Sequence, residues 1–257
     1  MNLSEIEKVI NSLIDTFVKC GDVSLELRNK GLEKSIKDDN TPVTNGDIQV
    51  NNLLVEKIAH LTPNIKIVSE ETSTNKKNDD LKDFWLIDPI DGTYDYINGR
   101  DEFTINAGLI INKKPVASLI NAPGKKRLFY SWGKSNAFEI NSGTIKKLTC
   151  DKKSKNNEIN AVSYSDNLKP EIAEIHKKYN ITNYTKMKSS LKFCVIASGE
   201  YDFYAAEPRA CEWDIAAGHA ILQNAGGIIS DFDGKNIIYG KKDFKNPSLI
   251  LKREKEL

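Results

Sequence analysis

The stretch from Phe103 to Ile140 constrains the fold more than any other part of the chain. Phe103, Ile105, Ala107, Leu109 and Ile111 recur with a period of two, which sets them on one face of a β-strand. Asn112-Lys113-Lys114 and Ala122-Pro123-Gly124 carry turn residues. Residues 103–140 therefore read as an antiparallel meander of consecutive hairpins.

The flanking segments change period. Ile6, Val9, Ile10, Leu13, Ile14, Phe17 and Val18 follow helical spacing, with Ser4 and Glu7 placed as a capping box. A second helix is expected from about Thr44 to Leu61, carrying Ile48, Val55 and Ile58. A short strand at Ile65–Val68 leads into Ser69-Glu70-Glu71, and residues 72–83 are polar enough for a surface loop. The apolar run Phe84-Trp85-Leu86-Ile87 reads as a buried strand that stops at Asp88.

In the second half, strands and helices alternate. Ile159–Ser163 is a strand, and Pro170–Tyr179 and Ser189–Ser198 are helices. Trp213–Ala225 is a helix closed by Gly226-Gly227. Lys146 to Glu158, rich in lysine and asparagine, divides the chain into expected subdomains 1–150 and 151–257; a long exposed loop inside one domain fits the same residues.

Composition excludes several function classes. Lys+Arg 37 against Asp+Glu 36 leaves a charge of +1, which gives no footing to a nucleic-acid polymer or a membrane surface. No apolar run approaches the ~20 residues of a membrane span. The N-terminus lacks a basic segment followed by an apolar one, so no signal peptide is expected. Cys20, Cys150, Cys194 and Cys211 form no CxxC pair, which points to a reducing cytoplasm. His60, His176 and His219 form no HExxH pattern. Any metal must then be held by hard oxygen ligands, which suits Mg2+, Mn2+ or Ca2+.

Asp88-Pro89-Ile90-Asp91-Gly92-Thr93 concentrates the chemistry. An apolar strand delivers two carboxylates at its end, followed by a glycine and a hydroxyl. Such carboxylates can clamp divalent cations, and the Gly92 and Thr93 N–H groups can receive a phosphate oxygen if they open a helix. Consecutive Asp-Pro and Asp-Gly turns would use the same residues. The haloacid-dehalogenase pattern needs two aspartates separated by one residue; Asp88 and Asp91 are separated by two, so that geometry fails. Glu70 after a short strand and Asp214 at the start of an apolar helix complete a set of acids that can converge on more than one Mg2+.

Taken in order, Pro42-Val43-Thr44 leading to Asp47, Ser69-Glu70-Glu71, Asp88 to Thr93, and Trp213-Asp214-Ile215-Ala216-Ala217-Gly218 with Ala225-Gly226-Gly227 resemble the signatures of the inositol monophosphatase superfamily. The resemblance implies an α+β fold layered αβαβα, with an antiparallel sheet in the N-terminal half and a mixed sheet in the C-terminal half. It implies that Glu70, Asp88, Asp91, Asp214 and the Ile90 carbonyl bind Mg2+, on the order of two or three ions in sites of this kind. Asp47 and Thr93 would position or activate the attacking water. Inhibition by Li+ and assembly as a homodimer are further expectations of the resemblance.

Ser189-Ser190-Leu191-Lys192-Phe193-Cys194 with Glu212-Trp213-Asp214 is similar to the 3'(2'),5'-bisphosphate nucleotidase branch. That implies removal of the 3'-phosphate of adenosine 3',5'-bisphosphate, with Gly92, Thr93, Ser190, Lys192 and Asp214 contacting substrate. A lysine at 192 suits a substrate with a second phosphate. The chain departs from the branch at Lys188, where glycine usually precedes the Ser-Ser pair. It departs again at Ser163-Tyr164-Ser165-Asp166, which lacks the branch's Arg and His and where Tyr164 is placed to stack on a base. Glu207, seven residues before Asp214, matches a glutamate that inositol phosphatases set against substrate hydroxyls. The alternative is thus an inositol-1-monophosphatase or a sugar-phosphate phosphatase.

Overall fold

The computed structural model describes residues 1–37, 41–72, 81–150 and 158–254. Most of the polar stretch 72–83, and residues 151–157 of the expected subdomain boundary, lie outside them.

Helix α1 (Leu3–Lys30) starts two residues earlier than Ser4 and Glu7 would place it. Asn2 is the cap instead: its carboxamide accepts from Glu5 N at 3.0 Å, and the Glu5 carboxylate accepts from Asn2 N at 2.8 Å. Strands β1 (Lys34–Ile36) and β2 (Pro42–Thr44) form a small hairpin, and α2 (Asn45–Leu61) spans the expected stretch, with Thr44 as its cap.

The main sheet follows. It comprises β3 (Lys66–Ser69), β4 (Phe84–Asp91), β5 (Thr104–Ile111), β6 (Lys114–Ala122), β7 (Arg127–Trp132), β8 (Ala137–Asn141) and β9 (Thr144–Lys147), in that spatial order. The β3–β4 pair is parallel and every other pair is antiparallel. The meander is present, and Asn112 and Lys113, both at positive φ, close the β5–β6 hairpin.

The C-terminal half supplies β10 (Ala161–Ser163), α4 (Pro170–Lys178), β11 (Tyr184–Lys186), α5 (Leu191–Ala197), β12 (Phe203–Ala206), α6 (Glu212–Asn224), β13 (Ile228–Ser230) and β14 (Leu249–Lys252). Its sheet runs β11-β10-β12-β14-β13 and is mixed: β10 is parallel to β11 and β12, while β14 is antiparallel to β12 and β13.

Strand periodicity assigns the layers. Trp85, Ile87, Ile105, Ala107 and Leu109 pack with Ile10, Leu13, Val50 and Leu54 of α1 and α2. The alternate residues Phe84, Leu86 and Ile110 pack with Phe193, Ile196, Ala216 and Ile221 of α5 and α6. The other side of α5 and α6 meets the second sheet, whose outer face buries Ala161, Phe203, Ala205 and Ile250 against Ile172 of α4. The order is αβαβα. Helix α6 ends as its glycines require: Gly226 takes φ +101°, Gly227 N–H donates to Leu222 O at 2.9 Å and Gly226 N–H to Gln223 O at 3.1 Å.

Strand β4 does not stop at Asp88. It continues to Asp91 through an irregularity, with Asp88 opposite Asn106 and Asp91 opposite Thr104. Three steps along β4 match two along β5, so one extra residue is inserted as a bulge. Pro89, which has no N–H to give a ladder, is tolerated at such a place.

Candidate active site

The bulge decides which face Asp91 serves. In a regular strand, residues three apart point to opposite faces. Asp88 shares the parity of Phe84 and Leu86, which face α5 and α6. Without the insertion, Asp91 would follow Trp85 and Ile87 to the side of α1 and α2. With it, both aspartates line one cleft, together with Glu70, Ile90, Gly92, Thr93 and Asp214.

Three elements converge there. Glu70 follows β3, Asp88 lies in β4, and Asp214 occupies the first turn of α6, where the helix dipole favours an anion. One oxygen from each of these three carboxylates lies within 4.8 Å of the others. Asp91 adjoins them, its Oδ2 accepting from Ser190 Oγ at 2.8 Å. Asn106 Nδ2 donates to Ser190 Oγ at 3.1 Å, and the Asp214 carbonyl, 2.6 Å from that oxygen, shares the single hydroxyl proton with Asp91.

Burial and mutual repulsion push the Asp88 and Asp214 carboxyls well above the usual carboxylate range. For Asp88 the repelling charges are Glu70, Asp91, Asp214 and Asp47, after burial itself. Lys37 offsets part of this, its Nζ lying 3.0 Å from Glu70 and 2.7 Å from Glu71. A set of oxygen donors gathered so closely, and strained by its own charge, fits a hard divalent cation. The histidines lie elsewhere: His219 pairs with the Tyr239 hydroxyl at 2.9 Å, and His176 packs edge-on against Tyr184.

Asp47 and Thr93 meet from different elements. Asp47, buried in the first turn of α2, accepts from Thr44 N at 2.8 Å and Thr44 Oγ1 at 2.6 Å through Oδ2. Its Oδ1 lies 3.4 Å from Thr93 Oγ1, which is also 3.0 Å from the Ile90 carbonyl. Burial raises the Asp47 pKa against the lowering effect of the Thr44 hydrogen bonds.

Thr93 opens α3 (Thr93–Ile97) after Gly92, which adopts φ +92°. The first bonds of that turn run from Asp95 N–H and Tyr96 N–H to Gly92 O, so the Gly92 and Thr93 N–H groups precede them. An added Cβ at Gly92 would sit 3.0 Å from Glu102 O on a left-handed backbone. Gly92→Ala is therefore expected to lower stability by about 1–2 kcal/mol and to disturb Thr93. Urea denaturation together with a turnover assay checks it; unchanged stability and turnover would show the turn adapts.

The remaining expected substrate residues are spread out. Lys192 is almost fully buried, its Nζ donating to the Ser189 carbonyl and lying 5.3 Å over the Tyr204 ring. Burial lowers its pKa to about 8. It lines a recess joined to the cleft through Asp91, Arg209 and Asp214. Glu207 lies in a neighbouring groove and is paired with Lys169 at 2.6 Å. Asp166 is held by Lys186 at 2.5 Å. Glu212 is a structural acid, its two oxygens accepting from the N–H groups of Gly240 and Lys241 at 2.8 and 2.9 Å.

Several residues that line the cleft carried no signal in the sequence, among them Tyr94, Lys188 and Arg209. Lys188 stood out only as a replacement for glycine. Arg209 belongs to the short loop leading into α6, and nothing in its spacing signals a role. Its guanidinium lies over Tyr164, covering a face that a base would need.

Comparison with known proteins agrees with this architecture. The inositol monophosphatase family model matches residues 4–257. The 3'(2'),5'-bisphosphate nucleotidase CysQ of Salmonella typhimurium is 33% identical over 220 residues, covering 85% of this chain and 88% of that protein. The Haemophilus influenzae CysQ nucleotidase is 28% identical over 249 residues, 95% of this chain and 93% of its own length. The crystal structure of CysQ from Bacteroides thetaiotaomicron, a bacterial member of the inositol monophosphatase family, covers 99% of this chain and 100% of its own, with a TM-score of 0.77 and 27% identity. Across its length and in its layered fold, this chain belongs to the inositol monophosphatase family.

Proposed function

We propose that the chain is a Mg2+-dependent phosphomonoesterase that removes the 3'-phosphate of adenosine 3',5'-bisphosphate, giving AMP and phosphate. The chemistry rests on the oxygen-only cluster of Glu70, Asp88 and Asp214, with Asp91 beside it. The substrate rests on the nucleotidase relatives.

Glu70, Asp88, Asp91, Asp214 and the Ile90 carbonyl would hold the ions. When bound, Mg2+ supplies charge neutralisation for phosphoryl oxygens and lowers the pKa of a water. The protein's own groups do the rest. Thr93 Oγ1 donates its proton toward Asp47 and offers a lone pair to the attacking water. Asp47, its other oxygen fixed by Thr44, keeps that hydroxyl oriented. The Gly92 and Thr93 N–H groups receive a phosphate oxygen, while Ser190 fixes Asp91 and Lys192 adds positive potential beside it. Phosphoryl transfer asks for alignment and charge stabilisation more than covalent help, which is what such a site offers.

Purified protein is expected to release phosphate from adenosine 3',5'-bisphosphate with Mg2+ and to lose that activity in excess chelator. A panel with adenosine 5'-phosphate, inositol 1-phosphate and fructose 1,6-bisphosphate tests the substrate. Full activity in chelator would sink the mechanism, and preference for inositol 1-phosphate would sink the nucleotide assignment. Inhibition by Li+ belongs to the same assay.

A further inference from the structure

Arg209 and Lys188 line the same cleft as the acid cluster, and both are organised around tyrosine rings. The Arg209 guanidinium carbon lies 3.3 Å from the centre of the Tyr164 ring. Lys188 Nζ is 5.3 Å from the centre of Tyr94 and 6.0 Å from that of Tyr164. Two cations thus share one ring.

The cleft they line also holds Glu70, Asp88, Asp91 and Asp214, the acids assigned above to the metal ions, and the remaining nearby acids match their charge poorly. Among the described residues no carboxylate lies within ion-pair distance of Arg209. The acids closest to this loop and to Tyr164 in sequence are committed elsewhere, Glu207 to Lys169 at 2.6 Å and Asp166 to Lys186 at 2.5 Å. Lys188 reaches Asp95 at 3.3 Å, but Asp95 also pairs with Arg100 at 2.8 Å. One carboxylate therefore serves two cations.

An exposed arginine normally spreads over many rotamers, and ordering it opposes binding. A ring against the guanidinium removes part of that freedom and leaves the N–H edge to fork onto an oxyanion. The carboxylate end of the cleft takes the scissile phosphate in the reading above. An anion held at Arg209 and Lys188 would then belong to another part of the same substrate.

We propose that Arg209, buttressed by Tyr164 and joined by Lys188, docks a second, non-cleaved phosphate of the substrate. The inference rests on the phosphomonoesterase reading but not on the nucleoside. A nucleoside bisphosphate and a sugar bisphosphate present the same chemistry, and Tyr164 serves as a buttress for the arginine rather than as a platform for a base.

Matched pairs test it, each differing only in the second phosphate: adenosine 3',5'-bisphosphate against adenosine 3'-phosphate, and fructose 1,6-bisphosphate against fructose 1-phosphate. For the pair that wild-type protein hydrolyses, Arg209→Gln is expected to lower the bisphosphate-to-monophosphate ratio of kcat/KM by about tenfold or more, chiefly through KM. Arg209→Lys should lie between, and Tyr164→Ala should shift the ratio in the same direction while Tyr164→Phe does not. Equal losses on both members, or no loss, would overturn the proposal. Turnover confined to the fructose pair, with the ratio shift present, would overturn the nucleotidase assignment and leave this inference standing. Nucleotide turnover without the shift would do the reverse. Hydrolysis of none of the four would overturn both.

Discussion

Asp88→Asn is expected to stabilise the metal-free protein while lowering turnover by about a hundredfold to a thousandfold, the scale of a lost electrostatic contact in a transition state. Asp88 is 1% exposed and is surrounded by Glu70, Asp91, Asp214 and Asp47. Its charge is a liability until a cation arrives. Asparagine removes that charge and can still accept from Ile90 N, which lies 3.1 Å from Asp88 Oδ1.

The sign follows from linkage. With the carboxyl pKa raised in the fold, the folded metal-free protein holds protons that the unfolded chain has released. Its stability therefore falls as pH rises from the unfolded carboxylate value of about 3.9 through the raised folded values. The variant should show a shallower fall. Saturating Mg2+ should reverse the ranking, because a ligand at about 100 times its Kd contributes roughly 2.7 kcal/mol to wild type and little to a variant that binds it weakly. Thermal melts in chelator and in Mg2+ check both halves. A metal-free variant that melts below wild type would show that Asp88 is held by its hydrogen bond more than it is opposed by its neighbours.

Thr93→Ala and Asp47→Asn are expected to lower kcat by about a hundredfold or more each, with little change in KM, since both act on the attacking water. The double variant should be little worse than either single one. The two differ in stability. Asp47 also closes the capping box of α2 through Thr44, so Asp47→Asn should weaken the fold by about 1 kcal/mol. Thr93 caps nothing, and its variant should melt close to wild type. Losses in kcat that multiply would mean that the 3.4 Å Thr93–Asp47 contact does not work as a unit.

The tyrosine-backed cations bear on how the substrate region reads. The absence of Arg and His around Tyr164 looks, along the chain, like the loss of a cationic region. In the fold, Arg209 approaches Tyr164 from the loop before α6 and Lys188 from the segment before α5, so cations return to that ring from other positions. Asp166, which would repel a phosphate, is already paired with Lys186.

Much of the fold was legible because it is local. The period of two in 105–111, the turn residues at 112–114, the helix starting near Thr44 and the Gly226-Gly227 stop are each decided within a few residues, and each appears where the chain placed it; Phe103 instead packs with Ile90 and Tyr96. The start of α1 lies two residues before the expected one because Asn2 and Ser4 are both competent caps, and only the carboxylate reaching back selects between them. The acids of the site were legible as types at the ends of elements. Their convergence was not. Asp88 and Asp91 stand at a spacing that separates them in any regular strand, and the bulge that reunites them depends on how β5 pairs alongside. Arg209 carries no local signal, since its role depends on a ring 45 positions away in the chain, at Tyr164. Secondary structure is set by neighbours in sequence, whereas a site gathers charges and rings across layers, and only the packing of those layers brings them within reach.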